Sequence, residues 1–351
     1  MVDYLVIGLG LAGISFCEKL SKEEKSFIVI DDNSQRASIV AGGLYNPVIL
    51  KRFSLAWRAD KQLEEAIPFY QGLEEKLEVK LDYKVPVLRI FASIEEQNLW
   101  FEAADRLELQ EFLSTDLVTN LNPNLRAPYG FGKVLSTGRV HTSRLVESYA
   151  AHLKKRQSFR QETFSFKDLE IHKDFFRYKD IKAKNLVYTL GFGLKENPFF
   201  NYLPLNGTKG ELLTIKAPEL EEASVIKSSV FIIPIGNDQY RIGATYKWKD
   251  KVNMPTPEAK QELLEKLDTF VDCPYEVERH VAGIRPTVAD RRPLVGRHPE
   301  YKNMYVLNGL GSRGVLIAPY AAHRLFDFIE KQQPFDKEMD ISRFAKRYQK
   351  A

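Results

Sequence analysis

The sequence contains only two cysteines in 351 residues, Cys17 and Cys273, and neither belongs to a CxxC pair. A disulfide framework and a cysteine-based metal site are therefore not expected, and two distant thiols are typical of a reducing compartment. Apolar runs are also short, well below the roughly 18 residues that a membrane-spanning helix needs. The apolar N-terminus lacks a basic segment and contains Asp3 and three glycines, which argues against a signal peptide. We expect a cytoplasmic protein with no membrane partner.

The sequence also has almost no excess of positive or negative charge. The chain has 51 Lys and Arg against 47 Asp and Glu, and a net charge of +4 does not by itself indicate a nucleic-acid partner. The six histidines are scattered without metal-ligand spacing, so no metal site is predicted. Hydrophobic residues make up 44% of the sequence, which is typical of a globular protein. At this length we expect one large domain or two intertwined domains.

A glycine-rich turn, VIGLGLAG, lies near the start of the chain between an apolar strand and a helix. Gly8 permits a tight turn, Gly10 lets a pyrophosphate approach backbone N–H groups, and Gly13 allows the helix to pack on the strand. A second apolar strand, SFIVID, ends in Asp31, near the spacing of about 20 residues that a ribose-binding acid has. These features predict a βαβ unit that binds a dinucleotide. In the alternative interpretation, Asp31 only begins a surface turn.

The stretch SQRASIVAGGLYNP, residues 34–47, bears on which dinucleotide is bound. Its small residues, among them Ser38, Gly42 and Gly43, allow the backbone to lie against a flat, extended ligand, which favours FAD. A nicotinamide dehydrogenase would more often continue a regular βα alternation here. The strand AKNLVYTLGFG at 183–193 also ends in glycines, which suits a cofactor that crosses the strand tips. On composition alone, an ordinary flexible loop at 34–47 is the alternative.

A second strand–glycine–helix turn, VLNGLGSRGVLIAPY, occupies residues 306–320. The helix that follows is predicted to turn a small, apolar stripe inward, from Ala318 to Leu325. A helix N-terminus that faces a redox ring stabilises the negative charge that arrives with a hydride. We therefore expect the first turn to bind the cofactor's phosphates and the second to face its reactive end. Arg313, at the lip of the second turn, is predicted to bind a substrate carboxylate.

The segment AGIRPTVADRRPLVGRHP, residues 282–299, holds four arginines and three prolines. Proline favours extended, rigid backbone, so the arginines here are held stiffly. Arg285 follows an apolar stretch and precedes Pro286, which predicts a fixed guanidinium that points inward. The other three arginines are interpreted as surface or ion-pairing residues. A structural salt bridge is the alternative for Arg285.

Two kinds of pattern alternate along the chain. Parallel βα segments are predicted at 1–82, 137–203 and 283–351, while segments at 83–136 and 204–282 have the alternating polarity of antiparallel strands. We therefore predict an α/β protein with a discontinuous, Rossmann-like FAD-binding domain. The remaining segments would form an inserted, mainly antiparallel β-sheet substrate domain.

Taken together, these motifs resemble the D-amino-acid oxidase superfamily of FAD enzymes over nearly the whole chain. The matching motifs are, in order, VIGLGLAG, AGGLYNP, STGRVHTSRLV, LPLNGTKGELL, YRIGATY, AGIRPTVADRRPLVGRHPE and GLGSRGVLIAP. AGIRP and GRHPE resemble glycine oxidase. GGLYNP and LGSRG resemble the oxidase half of the bifunctional enzyme that completes 5-methylaminomethyluridine in tRNA, whose methyltransferase half is absent here.

The resemblance implies an FAD-dependent amine or amino-acid oxidoreductase. Such an enzyme transfers a hydride from the α-carbon of an amino acid or N-substituted glycine to flavin N5, giving an imine that hydrolyses, with O2 or another electron acceptor. Arg285 and Arg313 would contact the substrate carboxylate, and Tyr246 would form a pocket wall. Covalent members of the superfamily tether FAD through a cysteine near the GIRPT segment. No cysteine stands there, so non-covalent FAD is predicted.

Two alternatives stay open beside a small-molecule amine substrate. One is oxidation of a carboxymethylaminomethyl group on the wobble uridine of tRNA, which the small net charge does not support. The other is a sensor that binds flavin without turnover. The predicted cofactor contacts are Gly8, Gly10, Ala12, Gly13, Asp31, Asp32, Ser38, Gly42, Gly43, Leu44, Gly191, Gly311, Ser312, Gly314 and Val315.

Overall fold

The structure of the protein is a computed structural model that describes residues 1–348. Its strands are β1 (Val2–Ile7), β2 (Phe27–Ile30), β3 (Leu44–Tyr45), β4 (Val48–Ile49), β5 (Ser54–Leu55), β6 (Asp82–Tyr83), β7 (Val87–Ile90), β8 (Leu113–Val118), β9 (Phe131–Val134), β10 (Gly138–Val140), β11 (Phe159–Arg160), β12 (Leu169–Ile171), β13 (Phe176–Tyr178), β14 (Ile181–Tyr188), β15 (Thr208–Lys216), β16 (Val225–Lys227), β17 (Phe231–Gly236), β18 (Gln239–Gly243), β19 (Glu276–Arg285), β20 (Leu294–Arg297) and β21 (Met304–Asn308). Its α-helices are α1 (Leu11–Lys22), α2 (Ala37–Val40), α3 (Ala59–Leu77), α4 (Ile94–Ala104), α5 (Thr142–Lys155), α6 (Pro257–Asp268), α7 (Gly314–Lys331) and α8 (Ala345–Tyr348).

The first sheet has a parallel centre. Strands β11, β2, β1 and β14 run parallel in that order, and β21 pairs parallel with β14. Strands β12, β13 and β20 are attached antiparallel. Alternate residues of β1 enter two different clusters: Val6 packs with α1 and α7, and Leu5 with Tyr188 and Phe200. Both faces of the sheet are therefore covered, which is why its central strands are almost continuously apolar.

The second sheet has the strand order β19-β15-β18-β17-β16-β7-β9-β8 and is antiparallel except where β7 pairs with β16. One face buries Leu213 and Ile242 together with Leu263 of α6. The other face, which carries Leu212, packs against the α2 region of the first sheet's connections. The predicted fold class, a Rossmann-like unit with a mainly antiparallel sheet, is confirmed. The domain boundaries stay a prediction.

Most predicted elements lie within a few residues of the observed ones. The sequence Thr256-Pro257 predicts a helix start, and α6 begins at Pro257 with the Thr256 hydroxyl accepting a hydrogen bond from the Ala259 amide at 3.3 Å. The inward stripe of α7 is also confirmed, since Ala318 and Leu325 are fully buried. Among the helices described, none has both the length and the apolar character needed to cross a bilayer.

The sequence predicts a helical pattern across residues 55–79 that is interrupted at Pro68, and the interruption is wrong. Helix α3 continues through this proline. Proline has no N–H to donate within a helix, so its presence normally destabilises one. Here Ala66, Tyr70 and Leu73 are buried around it, and α3 packs against α7. Tertiary packing therefore compensates for the missing hydrogen bond.

Replacing Gly13 by alanine tests how closely α1 approaches the first glycine turn. A Cβ at Gly13 would lie 2.1 Å from the carbonyl oxygen of Gly8, so the backbone has to move. We expect Gly13→Ala to lower the free energy of unfolding by about 1–3 kcal/mol in urea denaturation.

The matched control is Gly72→Ala inside α3. Its Cβ would have nothing nearer than Lys22 Nζ at 3.9 Å. This variant should be neutral or stabilised by up to about 1 kcal/mol, because alanine is the better helix former. Equal stability of the two variants would contradict the close approach at Gly13.

Candidate active site

A cavity of about 1000 Å³ lies between the two sheets. The carboxyl ends of β1, β2, β14 and β21 border it on one side, and residues of β15, β17, β18 and β19 on the other. The N-termini of α1 and α7 both open into it. In open sheets with parallel strands, ligands bind at this edge. Every predicted site residue lines the cavity except Gly13, which lies behind the turn and packs α1 against β1.

The first glycine turn is locked to the neighbouring strand tip. Gly8 has φ +106°, and a Cβ there would lie 2.6 Å from the carbonyl oxygen of Thr189, so no other residue fits. The Thr189 hydroxyl donates to the carbonyl oxygen of Gly8 at 2.7 Å. Sequence reasoning missed Thr189, because its only signal is its place at the end of a strand. Its hydrogen bond fixes the turn that faces the cavity.

The N-terminus of α1 presents amide groups to the cavity beside Gly10. Gly10 has ordinary extended backbone, and the Ser38 hydroxyl accepts a hydrogen bond from the Leu11 amide at 3.1 Å. A Cβ at Gly10 would lie 2.9 Å from that hydroxyl oxygen. Free amides and the helix dipole make such an N-terminus attractive to phosphate. Ala12 lines the same part of the cavity.

Asp31 connects the end of β2 to the glycine turn. Its carboxylate accepts hydrogen bonds from the Leu9 amide and the Asn33 amide, each at 2.7 Å. Burial raises the pKa of the Asp31 carboxyl, against the effect of these two hydrogen bonds. Asp32 accepts from the Ser34 amide at 2.9 Å and lines the cavity beside it. Asp31 therefore forms a local turn with Asn33, and it also holds the first glycine turn in place through the Leu9 amide.

Most of residues 34–47, the stretch that is rich in small residues, line the cavity between the two sheets. Gly43 has φ +72°, and a Cβ there would lie 1.8 Å from the carbonyl oxygen of Val140. From the second sheet, Nη1 of Arg241 donates to the carbonyl oxygens of Val40 and Ala41 at 3.4 and 3.1 Å. Sequence reasoning missed Arg241. Gly42 and Leu44 line the cavity in this stretch.

The second glycine turn is built differently from the first. Gly311 has φ +58°, yet a Cβ there would meet nothing within 4 Å. The glycine is therefore required by backbone conformation and not by crowding. The side-chain amide of Asn308 donates to the carbonyl oxygen of Gly191 at 3.0 Å and so joins this turn to the tip of β14. Ser312, Gly314 and Val315 line the cavity at the start of α7.

Arg313 directs its guanidinium at the backbone of the stretch that follows Gly43. Nη1 donates to the carbonyl oxygen of Asn46 at 2.7 Å, and Nη2 to that of Val48 at 3.2 Å. Burial lowers its pKa to about 10. Arg313 lines the cavity as predicted, but two of its donors already fix the 46–48 loop. Its role as a carboxylate contact stays a prediction.

Arg285 has a different set of neighbours. Nη1 donates to the carbonyl oxygen of Thr245 at 3.3 Å, and the guanidinium lies 5.4 Å from the ring centre of Tyr246. Within residues 1–348 it forms no salt bridge, so the structural salt bridge considered for it is not found. Burial lowers its pKa. A buried cation that has no carboxylate partner could bind an anion.

Gly210 and Tyr246 complete this cation site. A Cβ at Gly210 would lie 2.1 Å from Nη2 of Arg285, so the glycine is what lets the guanidinium lie across β15. Tyr246 is partly exposed at the cavity mouth, where Arg291 donates a hydrogen bond to its hydroxyl. Sequence reasoning did not single out Gly210, because nothing in GELLTI shows that an arginine 75 positions later packs on it.

The comparison with protein families decides which cofactor the cavity holds. The DAO model, described as FAD dependent oxidoreductase, matches residues 3–327. The chain belongs to this family. It is an FAD-dependent oxidoreductase, and the cofactor predicted from the glycine turns is confirmed.

Individual members of the family resemble the chain over nearly its whole length. Glycine oxidase of Bacillus subtilis (strain 168) is 24% identical over 94% of this chain and 94% of that protein. The tRNA 5-methylaminomethyl-2-thiouridine biosynthesis bifunctional protein of Marinobacter nauticus is 21% identical over 93% of this chain, which spans 55% of that protein. Among solved structures, glycine oxidase from Bacillus cereus has a TM-score of 0.78 at 22% identity, covering 95% of this chain and 96% of that one. The structural likeness shows a shared fold.

The residues of the cavity of this FAD-dependent oxidoreductase fit the cofactor. The space beside Gly10 is closed only by the movable Ser38 side chain, as a pyrophosphate at the α1 N-terminus requires. Gly42 and Gly43 line the cavity with backbone alone, because neither has a side chain. The α7 N-terminus and Gly311 open at the far end. These features would hold the phosphates at one turn and the flavin near the other.

Replacing Gly10 by valine tests the pyrophosphate position without disturbing the fold. The backbone at Gly10 suits any residue, but the valine side chain has to displace the Ser38 hydroxyl, so the apoprotein should fold with a melting temperature slightly below that of wild type. We expect Gly10→Val to weaken FAD binding by roughly 10- to 100-fold or more, because its side chain occupies the phosphate space. The FAD affinity of Gly10→Ala should lie between those of wild type and Gly10→Val, because the alanine Cβ meets only the Ser38 side chain. FAD titration of the apoproteins measures this, and wild-type affinity of Gly10→Val would contradict the site.

Non-covalent FAD predicts a simple release experiment. Cys17 is a fully buried residue of α1 and Cys273 lies in the core on the other side of the second sheet, so neither can tether the flavin. Acid precipitation should release all the yellow colour into the supernatant as FAD, not FMN. Flavin that remains with the precipitated polypeptide would contradict the prediction.

Proposed function

We propose that the protein oxidises the C–N bond of a glycine-type substrate, an amino acid or an N-substituted glycine. The substrate loses a hydride from its α-carbon and a proton from nitrogen, and the resulting imine hydrolyses to an oxo acid and an amine. Bound FAD would supply the hydride acceptor at flavin N5, with O2 or another acceptor taking the electrons afterwards. The curated relative in Bacillus subtilis is named a glycine oxidase, which supports this substrate class.

The observation that carries the proposal is the cation of Arg285. It faces the cavity without a carboxylate partner, and its only hydrogen bond runs to the Thr245 carbonyl, among residues 1–348. An arginine fork matches a carboxylate in two points and holds it in one orientation. A substrate bound this way would present its α-carbon in a fixed position, and positioning is the protein's main contribution to hydride transfer.

Other residues of the site would shape the substrate pocket. Tyr246 stands over the Arg285 guanidinium and would exclude water from one side of the bound carboxylate. Arg313 anchors the Asn46–Val48 backbone, which borders the same pocket. We propose that Arg285 makes the principal carboxylate contact, and that Arg313 contributes a contact in addition to fixing this loop.

A second candidate substrate is the carboxymethylaminomethyl group of a tRNA wobble uridine. The cavity lining favours it in one respect: Trp57 and Tyr246 line the cavity together with Lys51 and Arg291, and the Arg291 guanidinium also lies over the exposed ring of Trp248. Aromatic faces interleaved with cations can stack a base and contact phosphate. The overall charge of +4 gives no large basic surface around it. Both candidates share the same carboxylate and amine chemistry.

Anaerobic reduction of the flavin separates these possibilities. The holoprotein is mixed with glycine, N-alkylglycines, other amino acids and tRNA that carries the modified uridine, and bleaching of the flavin is recorded. The proposal predicts bleaching by glycine-type compounds. Bleaching by the modified tRNA alone would favour the second candidate, and no bleaching by any of them would overturn both.

Replacing Arg285 by leucine tests the carboxylate contact. A charge-assisted hydrogen bond is worth about 1.5–3 kcal/mol, so kcat/KM should fall by roughly one to two decades while FAD stays bound. Arg285→Lys should recover only part of the loss, because lysine lacks the planar fork. The control is Arg126→Leu, whose salt bridge to Asp272 lies on the exposed surface. Wild-type kinetics of Arg285→Leu would contradict the contact.

Arg313→Leu should differ from Arg285→Leu in a measurable way. Its loss frees two backbone carbonyls of the 46–48 loop, so thermal stability should fall along with kcat/KM. Arg285→Leu should leave the melting temperature nearly unchanged or raise it, because it removes an unpaired charge. The melting temperatures of the two holoproteins measure this contrast. The reverse order would contradict the assigned roles.

A further inference from the structure

Charge is unevenly distributed around the cavity. The acidic residues in its wall all follow strands β2, β11 or β14 of the first sheet: Asp31, Asp32, Glu162 and Glu196. Among the lining residues described, the second sheet contributes two cations, Lys227 and Arg285, and no acidic residue, while Lys51, Arg52, Arg291, Arg292 and Arg313 lie on loops around the cavity. One substrate carboxylate on Arg285 would neutralise only part of this charge. The part of the cavity that the second sheet lines could therefore bind a second negatively charged group.

Lys227 is a partly buried cation of this wall, and no carboxylate of the described residues neutralises it. Two cations lie next to it, and each has a carboxylate of its own: Arg89 pairs with Glu96 at 2.7 Å, and Lys266 with Glu262 at 2.7 Å. Among residues 1–348, Lys227 forms no salt bridge, and its ammonium donates only to the carbonyl oxygen of Ser228.

The surroundings of the ammonium group make its charge unfavourable without a ligand. Burial, and then repulsion from Arg89 and Lys266, lower the pKa of Lys227 to about 8. The group is still mostly protonated at pH 7. Its ammonium nitrogen lies over the ring of Phe231, 4.8 Å from the ring centre, and both residues line the cavity. An anion bound here would remove an unfavourable interaction as well as form a new one.

The strand register fixes where Lys227 lies relative to Arg285. Lys227 pairs with Phe231, Phe231 with Gly243, Gly243 with Leu212, and Leu212 with Val281. Directly paired residues share a face of a sheet, and Arg285 follows Val281 on that face by four residues. The two cations are therefore separated by four strand spacings, about 19 Å, across the sheet and by four residues, about 13 Å, along the strands, which is roughly 23 Å in all. A carboxylate bound at Arg285 does not reach Lys227.

We propose that Lys227 binds a second anionic group of the substrate. The substrate would then be a glycine-type amine whose nitrogen carries an extended substituent that ends in a carboxylate or a phosphate. The inference rests on the proposed function, because Arg285 has to hold the glycine carboxylate at the other end. The row formed by Phe231, Gly243 and Leu212 would lie along the connecting chain.

A series of N-substituted glycines tests this inference. The substituents are alkyl chains of increasing length that end in a carboxylate, a phosphate or a neutral carboxamide. Rates of anaerobic flavin reduction give kcat/KM-type constants for the holoprotein and its variants. Once the chain is long enough to reach Lys227, we expect the rate constant to be about 10- to 100-fold higher for substrates with an anionic end than for those with the carboxamide. The better of the two anionic ends identifies the group.

Variants of Lys227 show whether this residue is the source of the preference. Lys227→Met should abolish the preference for the anionic end, and Lys227→Arg should retain most of it because the charge remains. Lys266→Met is the matched control, since it removes a neighbouring lysine that already has a carboxylate, and it should keep the preference.

Several outcomes would overturn the inference. Equal rates with anionic and carboxamide ends would show that no second anion is bound, while the proposed function stands. A preference that survives in Lys227→Met would place the anion elsewhere. An equal loss with all substrates in both Lys227 variants would assign the residue a structural role. If no glycine derivative reduces the flavin, the proposed function and this inference fail together.

Discussion

The guanidinium of Arg285 carries a charge that no acidic group within residues 1–348 neutralises. Partly buried charges are normally paired, because leaving one unpaired in a protein interior is unfavourable. The surrounding structure nevertheless holds this one in place: Gly210 leaves room for it across β15, Tyr246 lies over it, and the Thr245 carbonyl accepts one of its hydrogen bonds. The simplest physical reason for this arrangement is a ligand that brings its own carboxylate.

Close backbone contacts shape the cavity that this charge faces. Gly8 and Gly43 each approach another strand so closely that a side chain would collide with a carbonyl oxygen. These contacts bring together the tips of the parallel strands and the stretch between the sheets. Two helix N-termini then open into one space, with phosphate chemistry expected at the first and redox chemistry at the second. The second sheet covers this space and contributes the cations.

Local sequence patterns were enough to predict four strands of the parallel sheet, β1, β2, β14 and β21, together with the two glycine turns and the cofactor, but not the short strand β11. Each of these depends on residues that are neighbours in the chain, so spacing alone carries the information. The hydrogen bonds of Thr189, Arg241 and Asn308 could not be predicted, since their partners lie more than 100 positions away. Pro68 shows the same limit, because only the packing of α3 on α7 explains why the helix continues. Spacing also could not show that Arg313 holds a loop.

The most direct test of the account is the binding of an unreactive carboxylate to the oxidised holoprotein. Methoxyacetate has the carboxylate of a glycine-type substrate but no nitrogen, and methoxyacetamide is its neutral counterpart. Binding is measured from the change in the flavin absorption spectrum. We expect methoxyacetate to bind, methoxyacetamide to bind at least about 10-fold more weakly, and Arg285→Leu to remove the difference. Equal binding of both compounds to the wild-type protein would contradict a carboxylate site at Arg285.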